Sequence, residues 1–313
     1  MLEIFKTTEK QELLKIDEFE KGCWVNLTHP SEEEIMQIQQ KLGILPNFLR
    51  DPLDEEEKPR IDVEENQALI IVDTPFIFEG GKGQVFETIP LGVIVTDDYI
   101  ITISTAENIA IDAFRTNKVK GFFTYKKTRF TFQILFRIAK DFLKYLRYID
   151  KKTDEAKNML NRSMKNKELF ELLELERSLV FFTTSLKENE LVMNKLMTAR
   201  HIKMYEDDQD LLEDVIIENK QALEMANIYS SILSGMMDAY ASIISNNLNM
   251  VMKVLTSITI IMTISTVISG FFGMNVGMPF NLGAHPYAFW IILALSVSVS
   301  ICAIYLLRRR QML

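Results

Sequence analysis

The chain has 313 residues and a net charge of −8, and the charge is unevenly placed. All 43 acidic residues and all but three of the 35 basic ones precede Val254, so that part carries 32 basic against 43 acidic side chains, a net −11. An acidic body argues against nucleic acid as a partner and fits a surface that meets cations, although the same excess also serves solubility. Two cysteines, Cys23 and Cys302, are too few for a disulfide framework.

Met1 to Lys21 is charged throughout and reads as no cleavable signal peptide, which leaves the body that follows in the cytosol. Cys23 to Leu27, Ala68 to Phe78, Val85 to Ile89, Leu91 to Thr96 and Tyr99 to Thr105 are rich in Val, Ile, Phe and Thr. Turn residues such as Gly80-Gly81 and Asp97-Asp98 separate them, so they read as strands of one mixed sheet. Ser31 followed by Glu34 is a capping box, in which hydroxyl and carboxylate satisfy orphan backbone amides, and it opens a helix through Lys41. An α/β domain over residues 1–120 follows.

A helical domain is expected over 121–253. Phe130 to Ser163 and Lys167 to Met197 carry apolar residues at helical spacing without proline and read as an antiparallel pair. A third helix, the stalk, runs from about Asp208 with a stripe at Ala222, Met225, Tyr229, Ile232, Met236, Tyr240, Ile243 and Asn247, which predicts a face packed on other helices. Gly235 costs only about 1 kcal/mol inside a helix, so the stalk is expected to continue unbroken beyond Val254.

From Val254 to Leu307 there is no Asp, Glu, Lys or Arg. A membrane helix needs roughly 20 mostly apolar residues, so the stretch holds two, Val254 to Phe272 and Tyr287 to Leu307. Gly273, Gly277, Pro279, Asn281, Gly283 and Pro286 break helix between them. Residues 254–313 thus form a transmembrane hairpin with a basic tail. Lys253 before it and Arg308, Arg309 and Arg310 after it place both termini in the cytoplasm by the positive-inside rule. The expected class is an α+β, multi-pass protein of the cell membrane, with its partner the lipid bilayer.

One hairpin cannot enclose an aqueous path, so transport would require a homo-oligomer. At about 100° per residue, Asn249, Met252, Thr256, Thr259, Thr263, Thr266 and Gly270 share roughly a third of the first membrane helix, with Leu255 at the margin. Threonine oxygens facing a pore would bond the water shell of an ion, while rings of Met252 and Leu255 would form a constriction that dewets. Hydroxyls in membrane helices also serve close packing or bond their own backbone. The stripe alone leaves both readings open.

Gly273-Met274-Asn275, at the turn of a C-terminal membrane hairpin, resembles the signature of the CorA family of divalent-cation channels. Asn249, Met252 and Leu255 stand at the spacing of that family's pore entry, and Met252-Lys253-Val254-Leu255 is similar to its membrane entry. The resemblance implies a homopentamer whose first membrane helices line the pore. It implies that Gly273, Met274 and Asn275 form an external selectivity filter for hydrated Mg²⁺ and, within the family, Co²⁺. Mg²⁺ gives up water reluctantly, which suits neutral amide oxygens. Gly273 would then permit the turn, and Met274 would pack.

Similarity in Leu49-Arg50-Asp51-Pro52-Leu53 and Glu213-Asp214-Val215 implies that Asp51 and Asp214 hold a regulatory cytosolic divalent cation between subunits. Cation binding would favour the closed arrangement by screening facing carboxylates. Both also lie on acid-rich surfaces where carboxylates are ordinarily just solvated. Asp238, lower on the stalk, resembles a further family position.

The chain departs from the family in its external loop. No acidic residue follows Met278-Pro279, leaving His285 as the only titratable side chain there. Related branches carry Zn²⁺, Co²⁺ or Ni²⁺, so a Zn²⁺ transporter on the same architecture is an alternative, as is a non-conducting membrane-anchored scaffold. Enzymatic constellations do not compete. There is no Gly-x-x-x-x-Gly-Lys-Ser/Thr loop, and His29, His201 and His285 have no spaced partners for zinc or nucleophilic chemistry.

Overall fold

The structure is a computed structural model of the whole chain and describes residues 1–64, 66–80, 83–163, 166–198, 204–274 and 286–312. It divides into two compact units, Met1–Ser234 and Gly235–Leu313.

The first unit is built on a seven-stranded sheet of order β2-β1-β3-β7-β6-β5-β4. Its strands are β1 (Leu2–Thr7), β2 (Leu13–Ile16), β3 (Trp24–Thr28), β4 (Arg60–Glu64), β5 (Gln67–Gly80), β6 (Gly83–Val95) and β7 (Ile100–Ser104). Only β3 and β7 pair in parallel; every other pairing is antiparallel. The expected mixed sheet is present, with β1, β2 and β4 in addition.

The expected break between Ile89 and Leu91 is absent, because β6 runs through Pro90. Pro90 faces Asp73 and Pro75 faces Thr88. Each proline lies just past the end of the outer neighbour, since β7 reaches β6 only over Leu91–Val95 and β4 reaches β5 only up to Ile71. A missing N–H there costs no ladder bond.

Successive residues of a strand point to opposite faces, and both faces here are covered. On one, Val25, Leu27, Leu69, Ile71, Ile94, Ile101 and Ile103 pack with α1 (Glu32–Leu42) and α2 (Pro46–Arg50) through Ile35, Ile38, Phe48 and Leu49. On the other, Trp24 contacts Phe5 and the edge of Phe130, and its indole Nε1 donates to Thr102 Oγ1 at 2.8 Å. Phe86 there meets Tyr145 and Phe182. Those rings come from α4 (Lys127–Ser163) and α5 (Asn166–Thr198), which follow the short α3 (Ile109–Arg115). Burial on both faces explains why all five residues of β7 are buried.

The capping box at Ser31 forms as read: Ser31 Oγ accepts from Glu34 N, and Glu34 accepts from Ser31 N. The longest helix, α6, runs unbroken from Glu206 to Phe272 through Gly235 and Gly270. In the first unit its buried residues are Asp208, Leu212, Val215, Asn219, Ala222, Ala226 and Leu233, at steps of four and three and a last step of seven. The seam therefore uses Ala226 and Leu233 in place of Met225 and Ile232, and Ile232 is exposed within the single chain. Asn219 Nδ2 donates to the Leu186 carbonyl of α5, Lys220 pairs with Glu190 along the same contact, and Lys140 of α4 pairs with Glu218.

In the second unit, α7 (Ala288–Arg309) lies antiparallel to the end of α6. Ser265 and Ser300 share a hydrogen bond between hydroxyls 3.2 Å apart, and Ser257 Oγ donates to the Met312 carbonyl at 3.0 Å. No residue of α7 is buried, whereas a core helix of a soluble protein would be. Two apolar helices that expose Ile258, Met262, Phe271, Phe289, Trp290 and Ile301 need an apolar surrounding, which a bilayer supplies.

Candidate functional site

The residues of α6 that turn towards α7 are Ser257, Ile261, Ile264, Ser265 and Ile268, all buried or half-buried. Their counterparts on α7 are Ile292, Ser296, Ser300 and Leu307, where small side chains allow close approach. Asn249, Met252, Leu255, Thr256, Thr259, Thr263, Thr266 and Gly270 are all exposed in the single chain. At 100° per residue their mean direction is roughly opposite the α7-facing one. The hairpin therefore leaves the threonine stripe free for something other than its own second helix. A groove between the two helices is lined by Thr259, Ile260, Thr263 and Ile264 of α6 and by Leu295 and Val299 of α7.

Thr259 Oγ1 donates to the Leu255 carbonyl and Thr266 Oγ1 to the Met262 carbonyl, each at 2.9 Å. These are the backbone bonds that helix-embedded threonines commonly form. They also fix the role of the oxygens. With its proton engaged, each hydroxyl presents only lone pairs, and a hydrated cation directs its water protons outward. Such oxygens are pure acceptors for that shell.

α6 ends at the signature. Gly273 N donates to the Ser269 carbonyl at 2.9 Å, closing the last turn. Its φ is not in the left-handed region, so the expected turn freedom is not what glycine supplies; a Cβ there would lie 3.1 Å from Ser269 O. Met274 is half-exposed in the single chain. Asn275, His285 and His201 lie outside the described residues.

Asp51 and Asp214 are both in the first unit. Asp51 opens a 3-10 turn, Asp51–Leu53, which follows α2 directly. The turn seats on the sheet because β6 has a glycine beneath it: a Cβ at Gly92 would come within 2.7 Å of Pro52 Cβ and 2.8 Å of Ile103 Cγ2. Gly92→Ala is expected to destabilise the first unit by about 1–3 kcal/mol through overpacking, read as a lowered denaturation midpoint. Asp51 Oδ2 accepts from Arg60 Nη2 at 2.6 Å. Asp214 is exposed on α6 beside Glu213, also exposed. Among the described residues no three acidic, histidine or cysteine side chains of one chain gather as a metal-binding group. His29, at the end of β3, contacts the Thr105 carbonyl through Nδ1.

An α/β body with long helices, joined to a two-helix apolar hairpin with a hydroxyl-bearing face, is the architecture of a membrane protein. The model of the family described as CorA-like Mg²⁺ transporter protein matches residues 19–309. The chain belongs to this family.

The cobalt/magnesium transport protein CorA of Methanocaldococcus jannaschii is 27% identical over 296 residues, covering 91% of this chain and 90% of the relative. That of Thermotoga maritima is 26% identical over 286 residues, covering 87% and 78%. The complete structure of the Methanocaldococcus jannaschii CorA magnesium transporter superposes with a TM-score of 0.85 at 26% identity, over 99% of this chain and 98% of that one.

Proposed function

We propose that the protein carries hydrated Mg²⁺, with Co²⁺ as a second cargo, passively into the cytosol through a homopentameric pore lined by the first membrane helix. Its parts are the α/β body over 1–120, the helical domain and stalk over 121–253, and the hairpin over 254–313, with both termini cytoplasmic. The single observation that carries this reading is the threonine stripe on the face of α6 turned away from α7, with the hydroxyl protons of Thr259 and Thr266 held by the helix. Influx needs no chemical fuel, since an inside-negative potential is worth about 2.3 kcal/mol per charge per 100 mV. No part of this is enzymatic.

Asn249 and the Met252 and Leu255 rings form the cytosolic constriction, and Asn275 forms the external ring that accepts the hydrated ion. Asp51 and Asp214 hold a regulatory divalent cation between neighbouring subunits. Their carboxylate oxygens are the hard donors that Mg²⁺ takes alongside retained waters. Without the cation, like charges on adjacent subunits repel and bias the assembly towards opening.

The test is uptake into liposomes loaded with a Mg²⁺-sensitive dye, comparing the wild type with Asn275→Ala and repeating with Co²⁺, Ni²⁺ and Zn²⁺. Potential-driven Mg²⁺ entry should fall at least tenfold in the variant. Zn²⁺ flux without Mg²⁺ flux would reassign the cargo, and no flux of any ion from assembled oligomers would leave a scaffold.

A further inference from the structure

Arg60, the first residue of β4, is ringed by carboxylates. Its Nε donates to Asp62 Oδ2 and its Nη2 to Asp51 Oδ2, each at 2.6 Å, and its Nη1 donates to Glu57 Oε1. Each guanidinium nitrogen thus serves a different acid, and the charge of the arginine is permanent. We propose that Arg60 is a tethered cation that competes with divalent metal for Asp51, and so sets the cytosolic concentration at which metal engages that carboxylate. This rests on the reading of Asp51 as a regulatory ligand given above.

Two features make the competition workable. Pro52, wedged over Gly92, pins the turn that carries Asp51, so the carboxylate has little freedom to leave. Arg60 sits on β4, the end strand of the sheet, and its side chain remains 29% exposed. If Asp51 is taken by a metal ion, Arg60 keeps Glu57 and Asp62, so no guanidinium is left uncompensated. A single arginine shared by three carboxylates can release one of them. A surface acid ringed only by other acids would bind the same ion at a lower concentration, because no fixed positive charge would oppose it.

The experiment is a MgCl₂ titration at constant ionic strength on the full-length protein in lipid nanodiscs, read as protection from chymotrypsin, whose cleavage sites these substitutions leave unchanged. Wild type, Arg60→Gln, Asp51→Asn and the double variant are compared. Removing the competing charge should lower the midpoint on the order of tenfold, and Arg60→Gln should have no further effect on the Asp51→Asn background. A midpoint unchanged or raised in Arg60→Gln, with Asp51→Asn shifted, overturns the proposal. A midpoint in Asp51→Asn equal to wild type overturns instead the assignment of Asp51 as a ligand. Should Arg60→Gln fail to fold, Arg60→Met decides. Methionine keeps the apolar stem but removes the charge, so its midpoint should fall as in Arg60→Gln, and an unchanged or raised one overturns the proposal.

Discussion

Thr263→Lys is expected to abolish divalent-cation uptake, by more than about 100-fold, while membrane insertion and assembly survive. Thr263 sits midway along the apolar segment of α6 and is exposed on the face away from α7. In a homopentamer with that face inward, five ammonium groups would ring the ion path. Their summed repulsion of a divalent ion amounts to several kcal/mol even at the dielectric of water. The charged side chains would themselves be hydrated and cost the fold little. If the stripe met lipid, each lysine would cost roughly 2.5–3.5 kcal/mol on insertion; if it packed helices, assembly would fail. Size-exclusion of the detergent-solubilised protein and dye-monitored uptake separate these cases. Loss of the oligomer together with flux would sink the pore-facing assignment. Ser265→Lys is the contrasting case: Ser265 bonds Ser300, so charge there should break the hairpin.

The second large effect lies in the first unit and depends on pH. Asp73, on β5, is largely withdrawn from water; burial pushes its carboxyl from an ordinary 3.8 up to about 6. Ser185 of α5, whose Oγ donates to Asp73 Oδ2 at 2.5 Å, acts in the opposite direction, and the nearby Glu188 adds to the rise. Because the folded carboxyl holds its proton more tightly than the unfolded one, its contribution to stability is fully present below about pH 3.8. It is lost as pH rises to about 6. The ionised group then costs on the order of 3 kcal/mol.

Asp73→Asn should therefore raise the thermal midpoint of the full-length protein at pH 7.5 and flatten its pH dependence between pH 4 and 6. A lower midpoint at pH 7.5 would mean that the Ser185 bond to the charged form outweighs its desolvation.

The hairpin was legible because a bilayer demands an uncharged run, which no other part of the chain has. The direction of the threonine stripe followed from helical arithmetic alone. The partner of that arithmetic, Ser265 against Ser300, was hidden among many membrane serines. β1 was obscured by charge: Glu3 is nearly buried, but Lys15 and Arg115, distant in sequence, neutralise it. β4 was hidden for the same reason, since Arg60 and Asp62 read as surface until Asp51 folds back on them. The α6 seam was read correctly at Ala222 and Tyr240 but one position early at Met225 and Ile232, where Ala226 and Leu233 are buried instead. Asp51 was singled out by resemblance alone, and nothing in local sequence showed that an arginine nine residues on would hold it.

Beyond the reach of β4 and β7, the β5–β6 ribbon has bare margins, and each is closed. Pro75 and Pro90 lack the donor that another strand would need. Asn189 of α5 accepts from Asp73 N and donates to Asp73 O, in the manner of the strand that has ended, and Ser178 Oγ accepts from Phe86 N. Long strands with open margins invite cross-chain zippering. In the homopentamer proposed above, copies of this body would lie side by side at high local concentration, and these closures would keep their sheets from fusing.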